Sequence, residues 1–146
     1  MDRKTFNIKP FLNITLIAFA CVIAIILYGT FRCKVKTGSF TDPLTKSITP
    51  SPFDKYLDGW GISHFLFFAL LGYLYPYPTT ILYSWILGVL WELLEFYAKD
   101  HPFYISKCNY TITTDAGTGW WYGRWEDIMM NSLGLLIGFI VATLKR

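Results

Sequence analysis

Three long stretches without a charged side chain constrain the fold of this chain more than any other feature. Asp, Glu, Lys and Arg are absent from residues 11–28, from residues 59–91 and from residues 128–144, which are 18, 33 and 17 positions long. An α-helix rises about 1.5 Å per residue, so roughly 20 apolar residues cross a hydrocarbon core about 30 Å thick. The pattern predicts an all-α integral membrane protein.

The stretches divide into four predicted transmembrane spans, at residues 11–28, 60–75, 80–97 and 127–144. The longest stretch holds two of them, because Pro76 and Pro78 interrupt it and predict a tight turn between antiparallel helices. Thr79 or Thr80 is expected to cap the third span. We expect one polytopic helical bundle, with residues 1–146 forming a single membrane domain.

The first span has two interpretations. An uncharged run near the N-terminus is also typical of the core of a signal peptide. However, 18 residues are long for that role, and no small-x-small cleavage site follows cleanly. We expect a retained signal-anchor helix.

Four spans place both termini and the proline turn on one side of the membrane. The polar segments at residues 30–58 and 99–125 then share the other side, called the loop side below. Trp60, Trp120 and Trp121 fall at the loop-side boundary, where indole rings prefer to lie. The net charge is only +3, and the basic residues form no stripe, which argues against a nucleic-acid partner.

Four ionisable residues lie toward the loop-side ends of three spans: His64, Glu92, Glu95 and Asp127. Ionisable side chains at membrane depth are costly and mark functional sites by default. Glu92 and Glu95 are three positions apart, so they share one helix face. Asp127 and Asn131 are four apart and also share a face. We therefore expect these groups to meet at one depth, just beneath the loop-side interface.

Small residues continue the face of the fourth span that carries Asn131. Gly134 and Gly138 follow at helical spacing, and a Gly-x-x-x-Gly pattern lets helices approach closely. This face is expected to pack against the other helices, which directs the polar groups into the bundle.

Each of these residues also has a purely structural interpretation. His64 is compatible with a satisfied polar core residue, Asp127 with a helix cap and Asn131 with an interhelical hydrogen bond. Glu126 suits a partner of the helix dipole. Two carboxylates in one span are harder to explain, because burial requires protonation, a cation or a basic partner. Arg124 and His64 are basic partners that would make the set a structural ion-pair cluster.

The functional interpretation assigns a chemical role to each residue. Carboxylate oxygens are hard ligands, so Glu92, Glu95 and Asp127 are candidate ligands of Ca²⁺ or Mg²⁺. Such an ion would bridge to the phosphate of a membrane lipid. His64 is the candidate general base, and with the three carboxylates it completes the candidate catalytic set. Asn131 and Arg124 are candidate substrate-binding residues, Arg124 through direct contact with phosphate.

The same motifs resemble a known family. The motifs are His64-Phe65, Glu92-x-x-Glu95 and an Asp127-x-x-x-Asn131 helix that continues through Gly134 and Gly138. This set resembles the motifs of the VanZ-like membrane proteins. Residues 91–97 and 120–139 are also similar to the core of the eukaryotic base-exchange phosphatidylserine synthases. There a Glu-x-x-Glu helix precedes a double Trp and an Asp/Asn/Gly helix. The resemblance covers roughly residues 58–142.

The resemblance implies a helical bundle that acts on lipid headgroups or lipid-linked phosphates, and for the synthases it implies calcium-dependent headgroup exchange. Gly119 and Tyr122 flank the double Trp here and depart from the synthase pattern, so the VanZ-like identification is preferred. We expect a protein that binds a phosphate-bearing lipid. If it is an enzyme, this lipid is the expected substrate. The alternative is a non-catalytic membrane scaffold whose polar cluster only holds the helices together.

Overall fold

The structure is a computed structural model that describes residues 7–34, 43–49, 57–100 and 123–146. These residues form four α-helices: α1 (Lys9–Lys34), α2 (Gly59–Leu74), α3 (Pro78–Asp100) and α4 (Trp125–Leu144). A short 3₁₀ turn, Pro43–Thr45, lies against the start of α2. The described residues form no β-strand beyond an isolated bridge between Ser47 and Asp58. The prediction of an all-helical fold is confirmed for this part of the chain.

Three helices are long and apolar enough to cross a membrane, within the described residues. Their apolar segments are Lys9–Gly29, Pro78–Ala98 and Trp125–Leu144. The helix α2 is apolar but shorter, with 16 residues. The first helix also continues past the predicted end of its span, to Lys34.

Local chemistry explains where α2 and α3 begin and end. Asp58 is the N-cap of α2, and its Oδ1 accepts the backbone N–H of Gly61 at 2.8 Å. The proline turn ends α2, and Pro78 opens α3 at the position where a missing N–H costs nothing. Thr80, which is buried, accepts the N–H of Tyr77 at 3.3 Å and so holds the turn closed.

The helices α2 and α4 form the most extensive pairing and run parallel. Their backbones touch at glycines: a Cβ atom on Gly134 would overlap the carbonyl oxygen of Phe65, and one on Gly138 would overlap that of Ala69. Gly72 makes the reciprocal approach from α2 to Leu135. Small residues permit this close crossing, as the pattern on α4 predicts.

The other helices complete the bundle in alternating directions. Trp85 on α3 donates its indole N–H to Ser132 on α4 at 3.0 Å, and Ile14 of α1 is fully buried in the apolar core with Phe68 and Leu135. The hydroxyl groups of Thr15 and Tyr83 lie 2.7 Å apart. The start of α1 therefore lies beside the start of α3. The starts of α2 and α4 and the last turns of α3 meet at the opposite end of the bundle.

Candidate functional site

Three helices bring ionisable side chains together at that end. His64 lies in the second turn of α2, Glu92 two turns before the end of α3 and Asp127 at the third position of α4. One ligand atom from each residue lies within 4.8 Å of the other two. We call these residues the His–Glu–Asp cluster. Glu92 and Asp127 are buried, and His64 is partly exposed.

Asn131 holds the imidazole ring of His64. The Nδ1 atom of His64 lies 2.9 Å from the Oδ1 atom of Asn131. An amide oxygen only accepts hydrogen bonds, so this contact places a proton on Nδ1. Asn131 is 1% exposed, and its Nδ2 atom has no hydrogen-bond partner within the described part of the chain.

Glu92 has one satisfied oxygen and one bare oxygen. The backbone N–H of Arg124 donates to Oε2 at 3.1 Å. The other oxygen, Oε1, is buried and accepts no hydrogen bond from any described residue, and it lies 3.6 Å from Nδ1 of His64. A buried carboxylate oxygen without a partner is costly, so it points to a missing proton, cation or ligand.

Arg124 is engaged by carboxylates rather than directed toward an open surface. Its guanidinium donates to Oδ2 of Asp58 at 3.0 Å, and its Nε atom lies 3.8 Å from Oε2 of Glu126. Together with its backbone bond to Glu92, Arg124 ties the starts of α2 and α4 to the end of α3. A phosphate that binds Arg124 has to compete with Asp58.

Asp58 is the residue of this site that the sequence analysis missed. It caps α2 and pairs with Arg124, although 66 residues separate the two. A local signal was present, because an Asp directly before an apolar helical run is typical of an N-cap. The pairing of Asp58 with Arg124 has no local signal, since nothing near Arg124 in the sequence points to Asp58.

Glu95 lies on the same helix as Glu92 but is not one of the three cluster residues. It is half-buried, and the side chain of Trp91 forms a hydrogen bond with it. Asp127 does not occupy the N-cap position of α4, which belongs to Arg124. The group of residues close enough to share one ion therefore includes His64 and leaves out Glu95. The ligands predicted from the sequence were Glu92, Glu95 and Asp127.

Among the described side chains that interact electrostatically with the cluster, acidic groups outnumber basic ones. The described carboxylates are Asp58, Glu92, Glu95, Glu126 and Asp127. Facing them are the guanidinium of Arg124 and the imidazole of His64. Such an imbalance in a poorly hydrated place favours a cationic ligand and repels a free anion.

The chain matches no family model, no curated protein and no solved structure. Trp120 and Trp121, which contribute to the family resemblance, and Tyr122, which departs from the synthase pattern, lie outside the described residues.

Proposed function

We propose that this chain is a four-span, VanZ-like integral membrane protein that binds a phosphate-bearing lipid headgroup at the loop side. A divalent cation held by the His–Glu–Asp cluster is the link between protein and phosphate. The observation that carries the proposal is the bare, buried Oε1 atom of Glu92 within an excess of carboxylates. A cation satisfies this oxygen and lowers the local negative charge, and the ion itself can take a phosphate oxygen as a ligand.

The four-span topology is supported by the apolar surface of all four helices. Exposed leucines cover their outer faces, including Leu16, Leu66, Leu90 and Leu133. With 16 residues, α2 is about 24 Å long, and a bilayer accommodates a short span by local thinning. The cluster then lies within two turns of one interface, at the depth of lipid headgroups.

Lipid retention by the purified protein tests this proposal. Wild-type chain and the Glu92→Gln variant are incubated with phosphatidic acid or with diacylglycerol, which lacks the phosphate, and bound lipid is quantified by mass spectrometry. We expect wild-type protein to retain phosphatidic acid in a manner that EDTA abolishes. Glu92→Gln is expected to lose about tenfold in affinity, equivalent to about 1.4 kcal/mol. A changed headgroup after incubation would add catalysis to binding.

Glu126→Gln is the matched control, because it removes a neighbouring carboxylate that is outside the cluster. It is expected to retain lipid like the wild type. Equal retention of both lipids by wild type, or unchanged retention by a folded Glu92→Gln variant, contradicts the proposal.

A membrane scaffold is the second candidate, and the bridging contacts of Arg124 favour it. These contacts link three helices without any ligand. A scaffold predicts that Glu92→Gln changes thermal stability, whereas neither lipid nor cation raises the stability of the wild type. A specific ligand must raise it by mass action.

A further inference from the structure

The donor atoms around Glu92 are spaced like the ligands of one small metal ion. Nδ1 of His64 lies 2.9 Å from Oδ1 of Asn131 and 3.6 Å from Oε1 of Glu92. Around an ion with bonds of about 2.1 Å, adjacent ligand atoms are about 3.0 Å apart in octahedral and about 3.4 Å apart in tetrahedral geometry. An oxygen of Asp127 lies within 4.8 Å of the donors of His64 and Glu92. Ligand atoms on opposite sides of such an ion are about 4.2 Å apart, which is close to this spacing.

We propose that His64, Glu92, Asp127 and Asn131 bind one first-row transition-metal ion of the Mn²⁺ type. The inference rests on the proposed function, which places a cation in the cluster, and it names the class of that cation. It differs from the Ca²⁺ or Mg²⁺ predicted from sequence, because His64 replaces Glu95 as a ligand.

The nitrogen donor decides the class of metal. Ca²⁺ and Mg²⁺ are bound by oxygen ligands, whereas imidazole suits transition metals. Two carboxylates and an amide oxygen, which complete the set, are ligands that Mn²⁺ accepts readily. The charges also balance, since Glu92 and Asp127 together neutralise a divalent ion.

Two unsatisfied atoms give independent support. Oε1 of Glu92, which is 4% exposed, has no hydrogen-bond partner among the described residues and faces His64. A carboxylate that only braced the helices would use both oxygens. Nδ2 of Asn131 is likewise unpaired in the described part of the chain, so the amide is held by its oxygen alone. That oxygen is the atom that a metal requires.

Outer contacts orient the ligands, as they do in established metal sites. The N–H of Arg124 occupies Oε2 of Glu92 and leaves Oε1 for the ion. The guanidinium of Arg124 donates to Oδ2 of Asp58, which holds Arg124 in place beside the cluster.

Metal binding has to move one proton. In the absence of metal, Nδ1 of His64 carries the proton that it donates to Asn131. An ion bound to Nδ1 takes the place of that proton, which passes to Nε2 of the same neutral ring. The imidazole stays neutral, no oxidant or reductant is involved, and the Nε2–H group becomes a donor.

Manganese spectroscopy on the full chain in detergent tests the inference. We expect one Mn²⁺ per chain by continuous-wave EPR titration, with a ¹⁴N coupling in the pulsed EPR spectrum from a directly bound imidazole. The chain has two histidines, so His101→Gln provides a matched control that should keep the coupling. His64→Gln should abolish it and weaken Mn²⁺ binding at least about tenfold. If the wild type is labelled with ¹⁵N-histidine, a ¹⁵N coupling should replace the ¹⁴N coupling. This test of histidine ligation needs no variant.

The outcomes separate the two proposals. Absence of ¹⁴N coupling in the wild type, its persistence in His64→Gln, or displacement of Mn²⁺ by equimolar Ca²⁺ overturns the transition-metal site. If lipid retention then proves to depend on Ca²⁺, the proposed lipid-binding function stands although the transition-metal site does not. If Mn²⁺ binds with the nitrogen signature but phosphatidic acid is not retained over diacylglycerol, the metal site stands and the lipid function fails.

Discussion

Glu92 and Asn131 each place one polar atom in a hydrogen bond and leave the other polar atom unpaired among the described residues. A buried polar network that served only to brace the bundle would gain stability from satisfying every member. A network that remains partly satisfied costs free energy, and that cost is repaid when a ligand supplies the missing partner. The residues of the cluster therefore fit a binding site better than a structural one.

Helix direction and spacing were enough to predict that these residues lie at one end of the bundle. His64, Glu92, Asp127 and Asn131 each lie within about two turns of the helix end at which α2 and α4 begin and α3 finishes, so the helix directions alone bring them to one end of the bundle. The pairing of Asp58 with Arg124 and the exclusion of Glu95 were not predictable. Both depend on the rotation of one helix about its axis relative to its neighbours, which side-chain packing decides.

The two roles of Asp58 can be separated by substitution. Asp58→Asn keeps a good N-cap for α2 but removes the charge that holds Arg124, and we expect a loss of about 1–3 kcal/mol of stability. Asp58→Ala removes the cap as well and should cost about 1 kcal/mol more. Thermal unfolding in detergent, followed by circular dichroism, measures both.

Glu126→Gln is the control for this pair, because the guanidinium of Arg124 lies 3.8 Å from Glu126 but hydrogen-bonds Asp58 at 3.0 Å. It should change stability by less than about 0.5 kcal/mol, as partly exposed ion pairs generally do. Equal stability of Asp58→Asn and wild type would show that the ion pair does not brace the three helices.

The backbone contact between α2 and α4 positions the site. Three glycines allow the crossing, and it fixes the distance from His64 on α2 to Asn131 and Asp127 on α4. The Gly-x-x-x-Gly pattern made this contact predictable. The exact helix ends were less predictable, because α1 continues six residues past the predicted span, to Lys34.

Gly138→Ala tests the importance of that crossing. The added methyl would overlap the carbonyl oxygen of Ala69, and the backbone of α2 has to move. Overpacking of this kind typically costs about 1–3 kcal/mol, and we expect the upper part of that range. Thermal unfolding measures the loss, and the affinity for Mn²⁺ should fall with it.

Gly61→Ala is the matched control, since it adds the same methyl to α2 where the nearest atom is 3.5 Å away. There the higher helix propensity of alanine is expected to leave stability unchanged or to raise it by up to about 1 kcal/mol. If both substitutions had the same effect, the close crossing of α2 and α4 would not be what holds the cluster together.

The polarity of the bundle is inverted relative to a water-soluble protein. Large apolar side chains cover the outside, while the buried interior includes Thr80, Ser84, Glu92 and Asn131. Helices satisfy their own backbone hydrogen bonds, so hydrocarbon is a suitable surrounding for them. Polar residues at both ends, such as Lys46 beside α2 and Lys145 after α4, then limit how far the bundle can slide in a bilayer.

This arrangement makes a topology prediction that decides whether α2 crosses the membrane despite its length. Cys21, Cys33 and Cys108, the three cysteines of the chain, are first replaced by serine. Single cysteines are then introduced by Lys46→Cys, Thr79→Cys and Arg146→Cys, all at exposed positions. In sealed vesicles, a membrane-impermeant maleimide should label Thr79→Cys and Arg146→Cys from one side of the membrane. It should label Lys46→Cys from the other side.

The prediction follows from the directions of the helices. Lys46 belongs to the segment against the start of α2, whereas Thr79 and Arg146 lie at the opposite end, where Arg146 stacks over the ring of Tyr77. Permeabilised vesicles, in which all three variants should react, control for side-chain access. Labelling of Lys46→Cys and Thr79→Cys from the same side would mean that α2 does not span. The proposed four-span topology, and with it the placement of His64 at the loop-side interface, would then be wrong.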